Sequence, residues 1–338
     1  DRKSGKNTYI QPKHTLGESP YRFNWQTPIL LSKHNQDILY LGGNKLHRSL
    51  NQGDDWETIS DDLTTGGKKG NVAFGTLTSI SESPFQFGLL YTGSDDGLVH
   101  ITKNGGGSWE KISDNLPQGL WVSRVIASAH QKERVYVTLN GYRFDDFTPY
   151  IYVSEDFGKT WKNIGISIPT SSVNVIKEDP ANENILYVGT DNGAYISFDK
   201  GDSWEIFNNN LPNVAVHDLV IQEREKHLIL GTHGRSLYKA NIANLQLFTK
   251  EFMNKRTHIF KMEAIQKRNN WGSARNDRSE VYEPAMKIPF FVNSNRKTTV
   301  EIVMNDVILN TFIVTPDKGY NEVSFDLSFN EKGKKAYE

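Results

Sequence analysis

The residues whose types and spacing could do chemistry are carboxylates set beside glycines. Asp95 and Asp96 precede Gly97, Asp145 and Asp146 stand together, and Asp191 lies two residues before Gly193. Two carboxylates facing one cleft can cleave a glycosidic bond. They stand about 5–5.5 Å apart when one attacks the sugar, and about 6.5–9.5 Å apart when a water must fit between. The rings of Trp25, Trp121 and Tyr142 could stack on sugars, and Arg143 could belong to a binding loop, while His233 and Arg235 could hold an anionic group or make a structural hydrogen bond to a neighbouring loop. The same Asp-Gly clusters are also ordinary turn formers, because Asp bonds its own backbone and Gly takes left-handed conformations. The run Arg143, Asp145, Asp146 reads as a local ion pair and turn, or as a binding or calcium loop. No His, Asp and Glu spacing indicates a zinc site. Gly105, Gly106 and Gly107 lack the Lys-Ser/Thr that a phosphate loop needs. Apart from that calcium reading, no metal or cofactor is expected.

These candidates are positioned by a repeat. One phrase occurs four times: Ser49, Asn51, Gly53, Trp56; Thr102, Asn104, Gly106, Trp109; Ser154, Asp156, Gly158, Trp161; and Ser197, Asp199, Gly201, Trp204. The tryptophans stand 53, 52 and 43 residues apart, a period that predicts propeller blades. An apolar strand and a Gly-rich turn precede each box, as at Leu186 to Gly193, and a fifth copy from Leu228 to Arg235 has no box after it. Each unit therefore reads as strand A, turn, strand B, Gly turn, strand C, box, strand D. The box is structural: its Asp or Asn accepts backbone N–H bonds, its Gly turns the chain, and its Trp packs between sheets. In an up-and-down blade the B–C turns share one face with the D–A links. That face collects Asn44, Asp61, Asp62, Trp121 and the candidates named above.

The four boxes resemble the BNR/Asp-box repeats of sialidases, xyloglucanases and the sortilin (VPS10) family. The stretch from Arg22, Phe23, Asn24 and Trp25 to Arg235 is similar to large bacterial sortilin-like, glycosyl-hydrolase-like BNR proteins. Leu120 to Val125, Asn140 to Phe147 and Val216 to Val220 carry that likeness. The resemblance implies an exported, secreted or cell-envelope protein that binds or hydrolyses a glycan at the B–C face. The alternative is a non-catalytic propeller that binds protein or peptide. A sialidase site cannot be assembled, because the arginine cluster and the Tyr nucleophile with its carboxylate are missing. Four and a half blades do not close a ring, so further blades of the same polypeptide are expected upstream, the chain being read as a piece of a longer protein.

After residue 248 the repeat stops. Residues 249–285 are polar around Lys267 to Asn270 and read as a connector. Period-two patterning returns over 286–338, at Ile288 to Val292, Thr299 to Val303, Thr311 to Val314 and Glu322 to Leu327. In the resembled group this position holds an Ig-like β-sandwich, here a partial one. The fold class is thus all-β: Asp-box propeller blades over 1–248 and part of a sandwich over 286–338. A net charge of −1 supplies no field for nucleic acid. No apolar run reaches the roughly 20 residues of a membrane span. With no cysteine, disulfides, thiol nucleophiles and Cys-ligated zinc are excluded.

Overall fold

The computed structural model describes residues 3–337 except 6, 209, 267, 270, 275 and 277–279; Lys267 and Asn270, on which the polar-connector reading partly rests, lie outside the described residues. Two compact units divide at Gln246 and Leu247.

In the first unit, four antiparallel sheets of four strands follow one another, then a sheet of three. Blade one runs through Ile29–Leu31, Leu39–Gly42, Leu46–Ser49 and Glu57–Thr58. Blade two uses Leu77–Glu82, Leu90–Ser94, Val99–Thr102 and Glu110–Lys111. Blade three uses Trp121–Ala127, Val135–Gly141, Asp146–Ser154 and Lys162–Asn163. Blade four uses Val173–Glu178, Leu186–Thr190, Gly193–Ser197 and Glu205–Ile206. The boxless fifth blade has Val216–Gln222, His227–Thr232 and Leu237–Asn241.

The cores lie between consecutive blades. Val135, Val137 and Leu139 pack towards blade two with Tyr91, Val99 and Val122. The intervening Tyr136 packs towards blade four with Ile176, Leu186 and Val188. Central strands are therefore buried on both faces and read as continuous apolar runs instead of alternating ones.

The four boxes share one bond pattern. In the third, Gly158 N donates to Ser154 Oγ at 2.7 Å, Thr160 N to Asp156 Oδ1 at 2.9 Å, and Ser154 Oγ to the same oxygen at 2.7 Å. The tryptophan then reaches the blade before it. Trp109 Nε1 donates to Ile59 O at 2.8 Å, Trp161 to Ile112 O at 2.9 Å and Trp204 to Ile164 O at 2.7 Å. The box glycine lies against the same isoleucine: with φ 87°, a Cβ on Gly158 would stand 2.5 Å from Ile112 Cδ1. In blade one, Ile10 takes that place, accepting from Trp56 Nε1 at 2.6 Å.

The second unit holds a sheet in the order Thr257–Ile259, Met286–Val292, Gly319–Phe325, and a hairpin of Thr298–Met304 with Val307–Val314. Asn305 and Asp306 turn the hairpin with φ of 48° and 65°, the paired left-handed residues of a two-residue loop. Five described strands are fewer than the seven of an immunoglobulin-type sandwich. The helix Lys250–Met253 and the strand Thr257–Ile259 fall within 249–285, and the chain closes on the helix Glu331–Tyr337.

Candidate functional site

In blades two, four and five the B–C turn is fastened to the link that leads into the inner strand of its own blade. The backbone N–H of Asp95 donates to Thr76 O, that of Asp191 to Ser172 O and that of His233 to Ala215 O, at 2.9–3.1 Å. This repeated bond brings the turns and links onto one face, where side chains complete the attachment.

In blades one and two the carboxylates are consumed by that attachment. Asp95 Oδ1 accepts from the backbones of Gly75 and Thr76 at 2.9 and 3.0 Å, and Oδ2 from Thr76 Oγ1 at 2.6 Å. Burial raises the Asp95 carboxyl above its ordinary pKa and Asp96 adds to this, against the opposing Thr76 and Gly75 bonds. A raised carboxyl suits a general acid. At 5% exposure, with both oxygens engaged, it has no route to a substrate. Asp96 is 7% exposed; its Oδ2 takes the backbone and hydroxyl of Thr65 at 2.6 and 2.7 Å, and its Oδ1 takes Ser94 Oγ. Asn44 donates to Asp62 at 2.9 Å, and Arg22 pairs with the same Oδ2 at 2.6 Å. Burial raises Asp62, but the Thr64, Arg22 and Asn44 bonds outweigh it and leave the carboxyl below its usual range. Asp61 is exposed. Asn24 anchors to Thr76 at 3.0 Å and closes a short turn by taking Thr27 Oγ1 at 2.6 Å; Trp25, within that turn, is 81% exposed.

Blade three carries the longest B–C insertion. Its 3-10 turn Tyr142–Phe144 ends on Asp145 at φ 56°. Asp146 then accepts from Thr148 N at 3.0 Å and Tyr150 OH at 2.8 Å. The Thr148 backbone bond is the main cause that lowers its pKa. Asp145 is exposed and has no partner among the described residues. The local ion pair expected of Arg143 is not formed. Its guanidinium instead stacks 4.0 Å from the ring centroid of Trp121, the first residue of the inner strand. Cation–π attraction to Trp competes well with an exposed carboxylate, whose pull water screens. Tyr142, Phe144 and Phe147 stand 60%, 65% and 42% exposed, with the Tyr142 and Phe147 rings edge to face at 6.5 Å.

In blade four, Asp191 accepts from Asn174 at 2.8 Å. In blade five, the exposed His233 meets His217 edge-on at 5.3 Å, and Arg235 is exposed. Among the described residues no three His, Cys, Asp or Glu are gathered as a metal would require.

The sequence reading missed Phe144 and Phe147 as exposed aromatics, although their place in the longest insertion was a signal. It also missed a polar residue on a β-bulge in the inner strands of blades two to five. Thr78 Oγ1 reaches Val122 O at 2.6 Å, Ser123 Oγ reaches Val173 O at 2.8 Å and Asn174 Nδ2 reaches Val216 O at 3.3 Å, each in the next blade. His217 occupies that bulge in blade five.

The family profile described as Sortilin-Vps10 (sortilin, neurotensin receptor 3) matches residues 149–324, just over half of the 338. Among solved structures, a GH74 xyloglucanase from Xanthomonas campestris is similar with a TM-score of 0.52 at 14% identity, over 80% of this chain and 42% of that one. An ancestral GH74 enzyme gives 0.50 at 13% identity, over 92% and 40%. At these identities the likeness is one of fold, and the chain spans about two fifths of the length of either structure. No curated protein matches the chain in sequence. Among the described residues no helix is long and apolar enough to cross a membrane.

Proposed function

The chain belongs to the sortilin–Vps10 family, and from that premise we propose that it is a non-catalytic binding propeller that takes a peptide or protein segment on the B–C face of blade three. One contrast carries this reading: most carboxylates of the face are engaged in their own turns and links, while Tyr142, Phe144 and Phe147 stand exposed. Asp95, Asp96, Asp146 and Asp191 all accept bonds from their own surroundings. Among the described residues the exposed side chains of Asp61 and Asp145 have no partner; Asp61 belongs to the link after blade one and Asp145 to the B–C turn of blade three, with the whole of blade two between them in the chain. Tyr142, Phe144 and Phe147 present an exposed apolar loop beside an Arg–Trp stack. Tyr, Trp and Arg are the residues that dominate binding hot spots, and contiguous exposed apolar surface marks an interaction site.

A glycan-binding or glycan-cleaving role is favoured by one observation, the 81% exposed Trp25, a ring free to stack on a sugar. We place the protein outside the cytoplasm, in a secreted or cell-envelope assembly with further blades beside blade one, whose Ile29 and Leu31 are 58% and 61% exposed. The test has two arms. Peptides selected on the full chain from a random library should lose at least about tenfold in affinity, about 1.4 kcal/mol, in Y142A/F144A. Xyloglucan incubated with the chain should release no reducing ends above the blank. Release that disappears on Asp→Asn substitution at 95, 96, 145, 146 or 191 would overturn the reading in favour of a hydrolase.

A further inference from the structure

A separate binding site is built within the 247–338 unit. Thr257 pairs with Val292 across the sheet, and Asn293 N donates to Arg256 O at 3.2 Å. That register sets Arg256 beside the turn that leads from Met286–Val292 into Thr298–Met304. The turn carries Arg296 and Lys297, and Thr298 Oγ1 braces it by donating to Arg296 O at 3.0 Å. Together these residues line a cleft of about 910 Å³ that includes Asn293 and Ser294 and, among the described residues, no carboxylate. Among the described residues none of Arg256, Arg296 and Lys297 is in an ion pair, whereas Lys287 of the same unit holds Glu322 at 2.8 Å. Three uncompensated cations around one concavity repel one another and focus a positive field into it.

We propose that this cleft binds an anionic oligosaccharide, one bearing carboxylate or sulfate groups on successive sugars. Two guanidinium forks match such groups in paired hydrogen bonds, and the lysine adds a point charge. The volume lies in the upper part of the roughly 300–1,000 Å³ range of small-ligand sites, more than a single anion fills. The Asn293 amide and Ser294 hydroxyl suit sugar hydroxyls. Among the described residues no aromatic ring lines the cleft, so nucleic-acid bases would have nothing to stack on.

The experiment is calorimetric titration of the full chain, in low salt, with an oligogalacturonate tetramer and a sulfated tetrasaccharide. Neutral cellotetraose and inorganic phosphate are the references. At least one charged tetramer should bind. It should weaken by about tenfold or more in R256A/R296A/K297A, and weaken as salt rises, with K287A unchanged. The three side chains are exposed, so the triple variant should keep the parent's thermal midpoint. No binding of either charged tetramer, equal affinity in the triple variant, or cellotetraose or phosphate bound as tightly would each overturn the proposal.

Discussion

Glu178 is 4% exposed and holds its position through donors from blade three. Ser128 Oγ reaches it at 2.8 Å, Ala129 N at 2.7 Å and Tyr136 OH at 3.0 Å. Arg134, itself 2% exposed, lies at 3.4 Å and also pairs with Glu155 at 2.9 Å. Burial first, and then the charge of Glu178, pushes the Tyr136 phenol well above its ordinary pKa, so it remains a donor at any physiological pH. Removing one partner from such a group strands buried charge and donors, at a cost of about 3–5 kcal/mol. Glu178→Ala should therefore lower the thermal midpoint by many degrees. Lys162→Ala, which opens an ion pair whose side chains are 67% and 65% exposed, should cost under about 1 kcal/mol and leave the midpoint nearly in place. Similar midpoints for the two variants would remove the structural weight given to Glu178.

At the scale of the element, the box is a hairpin that seals two blades at once. Trp161→Phe keeps one aromatic ring but deletes the five-membered ring and with it the Nε1 bond to Ile112 O, the bond itself being worth about 1 kcal/mol. Gly158→Ala should cost more, since it forces a side chain into φ 87° and against Ile112. Thermal melts that rank the two the other way would contradict the account. The box was legible because the side-chain bonds of its Ser/Thr and Asp/Asn positions close within seven residues, so pattern and geometry coincide. The blade-to-blade contacts were not, because their partners lie about fifty residues apart and are of common types. Ser32, Tyr40 and Glu82 form a second clasp, with bonds of 2.6 and 3.0 Å to the carboxylate. They recur at a constant offset of 96 residues as Ser128, Tyr136 and Glu178. That two-blade period was present in the sequence, hidden beneath the stronger one-blade period of the tryptophans. Asp95, Asp96, Asp145 and Asp191 lie between the second and third strands of their blades, and Asp146 opens the third strand of blade three. What spacing cannot express is that Thr65, Gly75 and Thr76 of a neighbouring link would occupy Asp95 and Asp96.

For the whole first unit, blades pack chiefly on their neighbours, although Arg124 of blade three also pairs with Asp218 of blade five at 2.7 Å, so the unit's stability is approximately a sum over blade interfaces. Titratable groups buried in the blades should tune it as a set. His47 is fully buried on the third strand of blade one, and His100 takes the equivalent place in blade two. Burial lowers both from 6.5 to about 4, with Lys45 and Lys111 respectively adding to the effect. Between those two values the unfolded chain binds protons that the folded chain refuses. Stability should therefore be full above about pH 6.5, fall as pH drops towards 4, and lose nothing more from these groups below that. For His47 the total is about 3 kcal/mol, at about 1.4 kcal/mol per pKa unit. Melts at pH 7, 6, 5 and 4.5 should show the midpoint dropping steadily, and the slope should flatten in H47Q/H100Q, which carry no titrating ring. A profile flat over this window in the parent, or equally steep in the double variant, would mean that the two histidines do not set the acid response of the blades.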